Sequence, residues 1–379
     1  MNWPLNVNNF NFLDRLNIAF FILNKKNRWT QDKQVKKFEE KMATFMDSKY
    51  AVFCSSGSTA NTMIAMMLRD QAPSKNSIIF PSTTWTTSVA PFVREGFIPK
   101  FIDVNLEDLC IDYSKLEETL KQNDDILCIF ATSLLGFVPD IEKLQQLADK
   151  YSVKLMLDNC ENTFGKFKNK NISSYTTSST STYFGHQLQS IEGGFVFTSS
   201  EQEYEYLQML RNHGMTRSLE NPLKYNNPNV DNRFDFYCLG SNFRNTDFNA
   251  FVGLIDLSKA NAYIEKRKQI YTHFSSSLNS NYLLPKEYAD RESVAFSLPI
   301  IFNNEKNKIK ALKFCLEQGI ETRPIISGNL LRQTCYKQFA SYEEFPNSEF
   351  LHKCGFYIGL HNKLKFSQVD KVVNYLNNL

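Results

Sequence analysis

Two kinds of apolar pattern divide the chain. Where apolar residues recur at three and four positions, as Val35, Phe38, Met42 and Phe45 do within Gln34–Met46, they mark the buried face of a helix. Where they form short unbroken runs bounded by Gly, Ser, Thr, Pro or Asp, they mark strands. Runs of the second kind fall at Tyr50–Phe53, Ser77–Phe80, Lys100–Val104, Ile126–Phe130, Val153–Leu157 and Phe195–Thr198. Helical segments lie between them: one through Met63, Ile64 and Met67, one entered near Ser88, then Asp112–Leu120, Ile141–Tyr151 and Glu201–Arg211. Strand and helix alternate as a mostly parallel α/β sheet requires. Residues 1–50 are predicted as an N-terminal arm and helix, with Ile18–Leu23 a packed helix segment. A long helix is predicted from Phe248 to about Lys266, opening a smaller α/β region that runs to Leu379. The expected organisation is a large domain over 1–247, including the arm, and a small domain over 248–379.

Composition narrows the class. The 379 residues are 42% hydrophobic and 22% charged, ordinary for a globular protein. A net charge of +3 gives no reason to expect a nucleic acid or a membrane surface as partner. No apolar run reaches the roughly 18–20 residues that span a bilayer, and Met1-Asn-Trp-Pro-Leu5 lacks the basic and apolar segments of a secretory signal. Eight cysteines are scattered with no metal-ligand spacing, so no metal site is expected and a reducing cytoplasm is.

Candidate chemistry gathers where predicted strands end, the place ligands occupy in such sheets. Cys54-Ser-Ser-Gly57-Ser58-Thr59-Ala-Asn61 joins a strand to a helix start, whose free N–H groups and hydroxyls suit an anion. Trp85 follows the next strand and can stack on a flat ring. Asp158 and Glu161 end the strand at Val153–Leu157. A carboxylate there can pair with a protonated ring nitrogen, although Asp158 would also serve as a helix cap. Ser218–Asp235 is a long, Asn-rich stretch of the kind that is disordered or functional.

The most informative stretch is Ser181-Thr-Tyr-Phe-Gly-His186-Gln-Leu-Gln-Ser-Ile-Glu192-Gly-Gly194. It resembles the lysine loop of the DegT family of nucleotide-sugar aminotransferases, with Ser181 and Glu192-Gly-Gly194 in frame and His186 at the lysine position. Ser55–Asn61, Asp158-Asn-Cys-Glu161, His213-Gly-Met-Thr-Arg217 and Arg323-Pro-Ile-Ile-Ser-Gly-Asn329 extend the resemblance over residues 30–362, towards the family's 3-dehydratase branch. Two departures, Gln187 and Gly240-Ser-Asn-Phe-Arg-Asn245, leave substrate identity open.

The resemblance implies an aspartate-aminotransferase-like fold (fold type I) and pyridoxal 5'-phosphate (PLP) or its pyridoxamine form (PMP) as cofactor. It implies a homodimer with shared sites. Gly57, Ser58 and Thr59 would hold the cofactor phosphate, Trp85 would cover the ring, and Asp158, Glu161 and Ser181 would complete the pocket. Asn242 would reach a partner's cofactor. Imidazole cannot form the covalent bond that a lysine amine forms, but it can still move protons. His186 would therefore be a base, and the reaction C3 dehydration of a nucleotide-linked 4-keto-6-deoxy sugar. Glutamate would restore the amine, and ammonia would be released. Arg217 and Arg323 are expected on the diphosphate or on the glutamate carboxylate, and His213 on the substrate. A lysine-less aminotransferase and a non-catalytic sugar- or cofactor-binding homologue remain open at this point.

Overall fold

The computed structural model describes residues 2–225 and 227–379. The predicted strands assemble into a seven-stranded sheet in the order Tyr50–Cys54, Gly194–Thr198, Ser178–Ser181, Lys154–Asp158, Ile126–Thr132, Ser77–Pro81, Ile98–Ile102. All but Gly194–Thr198 run the same way. Successive residues of a strand face opposite sides of the sheet. Thus Ile78, Phe80, Cys128 and Phe130 pack with Met63 and Met67 on one face, while Ile79, Ile129 and Leu155 pack with Leu144 and Leu147 on the other. Both faces are covered, which is why these strands read as unbroken apolar runs.

One strand gave no such signal. Ser178-Ser-Thr-Ser181 is wholly buried and wholly polar, and two of its hydroxyls bond to neighbouring elements. Ser179 Oγ donates to Asn61 Oδ1, and Thr180 Oγ1 donates to the Asn159 carbonyl.

A second sheet of three antiparallel strands, Ser297–Ile301, Gly355–Gly359 and Thr322–Pro324, belongs to the C-terminal region. Leu298, Ile300, Phe356 and Ile358 pack there against Phe274 and Val372. The N-terminal arm is stitched to this region. Trp3 is fully buried, its indole Nε1 donates to the Gly359 carbonyl at 2.9 Å, and Trp3 bridges to Ile320.

Three expectations change. The helix predicted from Phe248 to about Lys266 is two, Asp247–Leu257 and Ala260–Ser277. The chain turns between them as Ser258 Oγ donates back to the Ile255 carbonyl and the Lys259 N–H to that of Asp256. The strand predicted at Lys100–Val104 begins two residues earlier, because Ile98 is the register partner of Ser77. Ile18–Leu23 does lie in a helix, Phe12–Leu23, but only one side of it packs within this chain: Phe21 is buried against Phe248 and Phe251, while Phe12, Leu13, Phe20 and Leu23 are exposed. Among the described residues no helix is long and apolar enough to cross a membrane, and no cluster of metal-binding side chains occurs.

Candidate active site

The parallel strands deliver their C-terminal ends to one cavity of about 590 Å³, closed on its far side by the C-terminal region and by Leu5 and Asn6 of the arm. Gly57, Ser58, Trp85, Asp158, Glu161, Ser181, His186 and Arg323 all line it. Thr59, His213, Arg217 and Asn242 do not.

At one end the strand Tyr50–Cys54 turns into the helix Gly57–Gln71. Ser56 caps the helix by accepting the Thr59 N–H, and the Ala60 N–H bonds to the Ser56 carbonyl. The N–H groups of Gly57 and Ser58 are left as the helix's first free donors. Thr59 is set apart by its own hydroxyl, which is taken up within the capping turn, donating to the Ser56 carbonyl at 2.9 Å and accepting the Ser56 N–H at 3.0 Å. The turn rests on Gly194, where a Cβ would lie 2.3 Å from the Ser56 carbonyl carbon and 2.5 Å from the Gly57 nitrogen. The second Gly of Glu192-Gly-Gly therefore serves this backbone approach.

Asp158 ends the strand Lys154–Asp158 almost fully buried. Its Oδ2 accepts from Asn61 Nδ2 at 2.8 Å and Ser88 Oγ at 2.7 Å, and its Oδ1 from the Cys160 N–H at 3.0 Å. Sequence reasoning noticed Asn61 and Ser88 but not this role. Glu161 accepts the Leu135 N–H at 2.8 Å. Burial pushes its carboxyl up to about 8, that N–H pulls down, and the Asp158 charge adds to the rise. Glu161 is thus largely protonated at neutral pH, able to donate a hydrogen bond to an oxygen.

The loop between Ser178–Ser181 and Gly194–Thr198 folds back on itself. The Thr182 N–H bonds to the Gly193 carbonyl, the Ser190 N–H to that of Thr182, and the His186 N–H to that of Tyr183. Two residues tie it down from outside the cavity. Gln187 is buried, accepts the Phe164 N–H at 3.3 Å and donates to the Val294 carbonyl at 2.6 Å, and the Gln189 N–H donates to Asp256. Gln187 is therefore a structural tie and not part of the cavity lining. His186 faces inward between Tyr183 and Phe296, its ring centroid 5.5 Å from that of Phe296. Burial pushes His186 down to about 4, against the Cys160 carbonyl and the Asp158 charge. The imidazole is neutral at neutral pH, and its Nδ1 is buried without a partner in the chain.

Trp85 is 54% exposed with its indole on the cavity wall, and Arg323 stands exposed on the rim. The three remaining residues lie outside this chain's cavity. Arg217 reaches the Arg233 carbonyl at 3.4 Å and the Phe234 ring. Asn242 is exposed, and His213 sits at a positive φ of 62° in the turn before Gly214. Arg267, buried on the cavity wall, was not anticipated.

The donor set fits a phosphorylated pyridine. Free helix N–H groups and Ser58 suit the phosphate. A side chain at position 57 would place Cβ 2.9 Å from Cys160 Sγ and Ser181 Cβ, so the backbone stays open to a ligand only as glycine. Asp158, its other donors fixed, keeps lone pairs for a ring N–H.

The family model for the DegT/DnrJ/EryC1/StrS aminotransferase family matches residues 19–377. GDP-4-keto-6-deoxy-D-mannose 3-dehydratase of Yersinia pseudotuberculosis is 29% identical, over 92% of each chain. The solved structure of the E. coli enzyme of that name with bound hydrated PLP superposes with a TM-score of 0.91 at 27% identity, over 99% of each chain. A structure of that dehydratase with a trapped PLP-glutamate geminal diamine is 26% identical, also at a TM-score of 0.91, over 99% of this chain and 100% of the other. Amino-transferring relatives match as well, among them GDP-perosamine synthase of E. coli O157:H7, 24% identical over 77% of this chain and 76% of that one. The chain belongs to the DegT/DnrJ/EryC1/StrS aminotransferase family, with the aminotransferase-like fold and pyridoxal or pyridoxamine 5'-phosphate as its cofactor.

Proposed function

We propose that this protein is a PMP-dependent 3-dehydratase of a nucleotide-linked 4-keto-6-deoxy sugar. The observation that carries the reading is His186: an imidazole faces the cavity from the loop that bears the family's lysine, and no lysine is among the residues lining the cavity. A covalent anchor is thereby missing and a neutral base is present.

Bound in the cavity, pyridoxamine phosphate supplies an amine for the sugar's 4-keto group and a ring that takes up electrons. The Gly57 and Ser58 N–H groups hold its phosphate, aided by Ser58 Oγ and Ser181. Trp85 covers one face of its ring. Asp158 accepts the ring N–H and keeps that nitrogen protonated, while protonated Glu161 donates to a neighbouring oxygen. His186 would move the proton at the carbon beside the cofactor's amine and would be the group to give one to the hydroxyl leaving carbon 3. Arg323 on the rim meets the diphosphate. Over a full cycle the sugar loses one oxygen, glutamate becomes 2-oxoglutarate, and the nitrogen leaves as ammonia.

Asn242, Arg217 and His213 serve the cavity of a second copy in this reading. The exposed side chains of Phe234, Phe236, Tyr237 and Leu239 beside them, and the exposed apolar residues of Phe12–Leu23, support a homodimer with two shared sites. A mass-spectrometric screen of nucleotide 4-keto-6-deoxy sugars with PMP and glutamate tests the proposal, a GDP-linked sugar first because the Yersinia relative is named for one. A 3-deoxy ketone is the expected product, and an amino sugar would contradict it.

A further inference from the structure

The cavity has a second polar group that the reading above leaves unused. Arg267, on the helix Ala260–Ser277, is only 4% exposed yet lines the cavity. Its Nη1 donates to the carbonyls of Ala295 at 3.3 Å and Phe296 at 3.1 Å. Its Nε is buried with no partner. Among the described residues no carboxylate pairs with it. Asp256, whose charge acts on it, is already held by the Gln189 N–H at 3.0 Å and the Tyr263 hydroxyl at 3.1 Å. Ser297, the residue after Phe296, also lines the cavity, and its Oγ is buried without a partner. The guanidinium is thus braced on the backbone of Phe296, whose ring packs on His186.

A buried guanidinium with no carboxylate in contact carries a desolvation cost that two carbonyls and the Asp256 charge offset only in part. Burial pushes its pKa down only to about 10, so it stays charged at neutral pH. A ligand that brings a carboxylate to the cavity side of this guanidinium supplies a counter-charge in direct contact. We propose that Arg267 and Ser297 form the subsite for a carboxylate of the amino donor, glutamate, separate from the rim where Arg323 meets the diphosphate. Two features select a carboxylate over a diphosphate. The donors are one guanidinium and one hydroxyl, a match for a single planar anion, and they sit beside the residue covering His186 and not at the cavity mouth. The assignment rests on the reading of glutamate as donor, which dehydration and amino transfer share.

The test uses PLP-loaded enzyme without any sugar. Glutamate is added and the conversion of the cofactor to its pyridoxamine form is followed by absorbance. Binding of glutarate, a dicarboxylate with no amine to react, is measured by calorimetry. Arg267→Met is expected to raise the half-saturating glutamate concentration and the glutarate Kd by about 10–100-fold, the range for hydrogen bonds to a charged group. Arg267→Lys should fall between it and the native protein. Ser297→Ala should cost about 3–10-fold, a neutral hydrogen bond. Half-saturation by the nucleotide sugar should move less than about threefold in each. Should Arg267→Met fail to fold by circular dichroism, because its carbonyl contacts are lost, Arg267→Lys and Ser297→Ala decide the matter. Unchanged glutarate binding and glutamate half-saturation in the folded variants overturn the proposal, as does a shift confined to the nucleotide sugar. An amino-sugar product would end the dehydratase reading but leave this test intact, since no sugar takes part in it.

Discussion

The inner wall of the cavity and the segment from His213 to Asn242 carry equally polar side chains, yet they differ in what surrounds them. On the wall, Asp158 accepts from three donors, Glu161 is held by a backbone N–H, and His186 is enclosed by Tyr183 and Phe296. In the segment, Arg217 reaches a carbonyl and a ring of its own loop, Asn242 is exposed, and Leu239 is 91% exposed. In the proposed reading one chain therefore holds the proton-moving and ring-binding groups already fixed by its own contacts. Gly57, Ser58 and Arg323 line the same cavity, whereas Asn242, Arg217 and His213 lie outside it and, in the proposed reading, belong to a second chain's site.

Breaking the wall should have the largest effect. His186→Ala is expected to fold, bind PMP and lose about 100–10,000-fold in turnover, the range for removing a general acid–base group. His186→Lys should bond PLP covalently, giving an adduct that borohydride fixes and mass spectrometry detects. Full activity in His186→Ala, or a fixed adduct in the native protein, would count against the assignment. Asp158→Asn should cost about a hundredfold, because the charge facing the ring nitrogen is lost while the Asn61 and Ser88 contacts can be partly kept. Near-normal turnover would show that the ring nitrogen is held elsewhere.

The outward segment is probed by mixing. Asn242→Ala should weaken PLP binding. Random pairing with His186→Ala makes about half of the dimers hybrid, each with one site that has both native residues. Activity should return to about a quarter of native. No recovery on mixing, or a monomer that is fully active at working concentration, contradicts shared sites.

The last effect leaves turnover aside and concerns stability of the cofactor-free protein. The Glu161 pKa lies above its unfolded value of 4.5, at about 8. The unfolded chain then gives up this proton first as pH rises, so folding loses stability between the two values. Glu161→Gln should remove that loss, at most about 5 kcal/mol by pH 8 and less after relaxation. Denaturant midpoints of the two proteins that stay parallel from pH 5 to 8 would show that Glu161 ionises freely.

Most of the sheet was legible because a strand covered on both faces must be apolar throughout. Ser178–Ser181 was invisible for the opposite reason: its burial is balanced by hydroxyl bonds to Asn61 and Asn159, which come from other strands and helices. The same contrast runs through the site. His186, Asp158 and Trp85 could be read because each follows a recognisable strand end or motif. Arg267 lies in Glu265-Lys-Arg-Lys268, a charge run that reads as a solvated face, and only the packing of residues 295–297 makes it part of the cavity. Gln187 was read as a departure bearing on substrate, whereas its amide ties the loop to Phe164 and Val294. The break at Ser258 was missed because a serine turn inside a helical pattern leaves the apolar periodicity intact.

The central claim is that nitrogen passes through the site without staying on the sugar. Glutamate is consumed by dehydration and by amino transfer alike, so its loss decides nothing. Nitrogen-labelled glutamate does decide it, when followed into products with PMP-loaded enzyme and a nucleotide 4-keto-6-deoxy sugar. The account predicts the label in free ammonia and a sugar that has lost the oxygen at carbon 3. Label held covalently on a sugar that keeps that oxygen would contradict it.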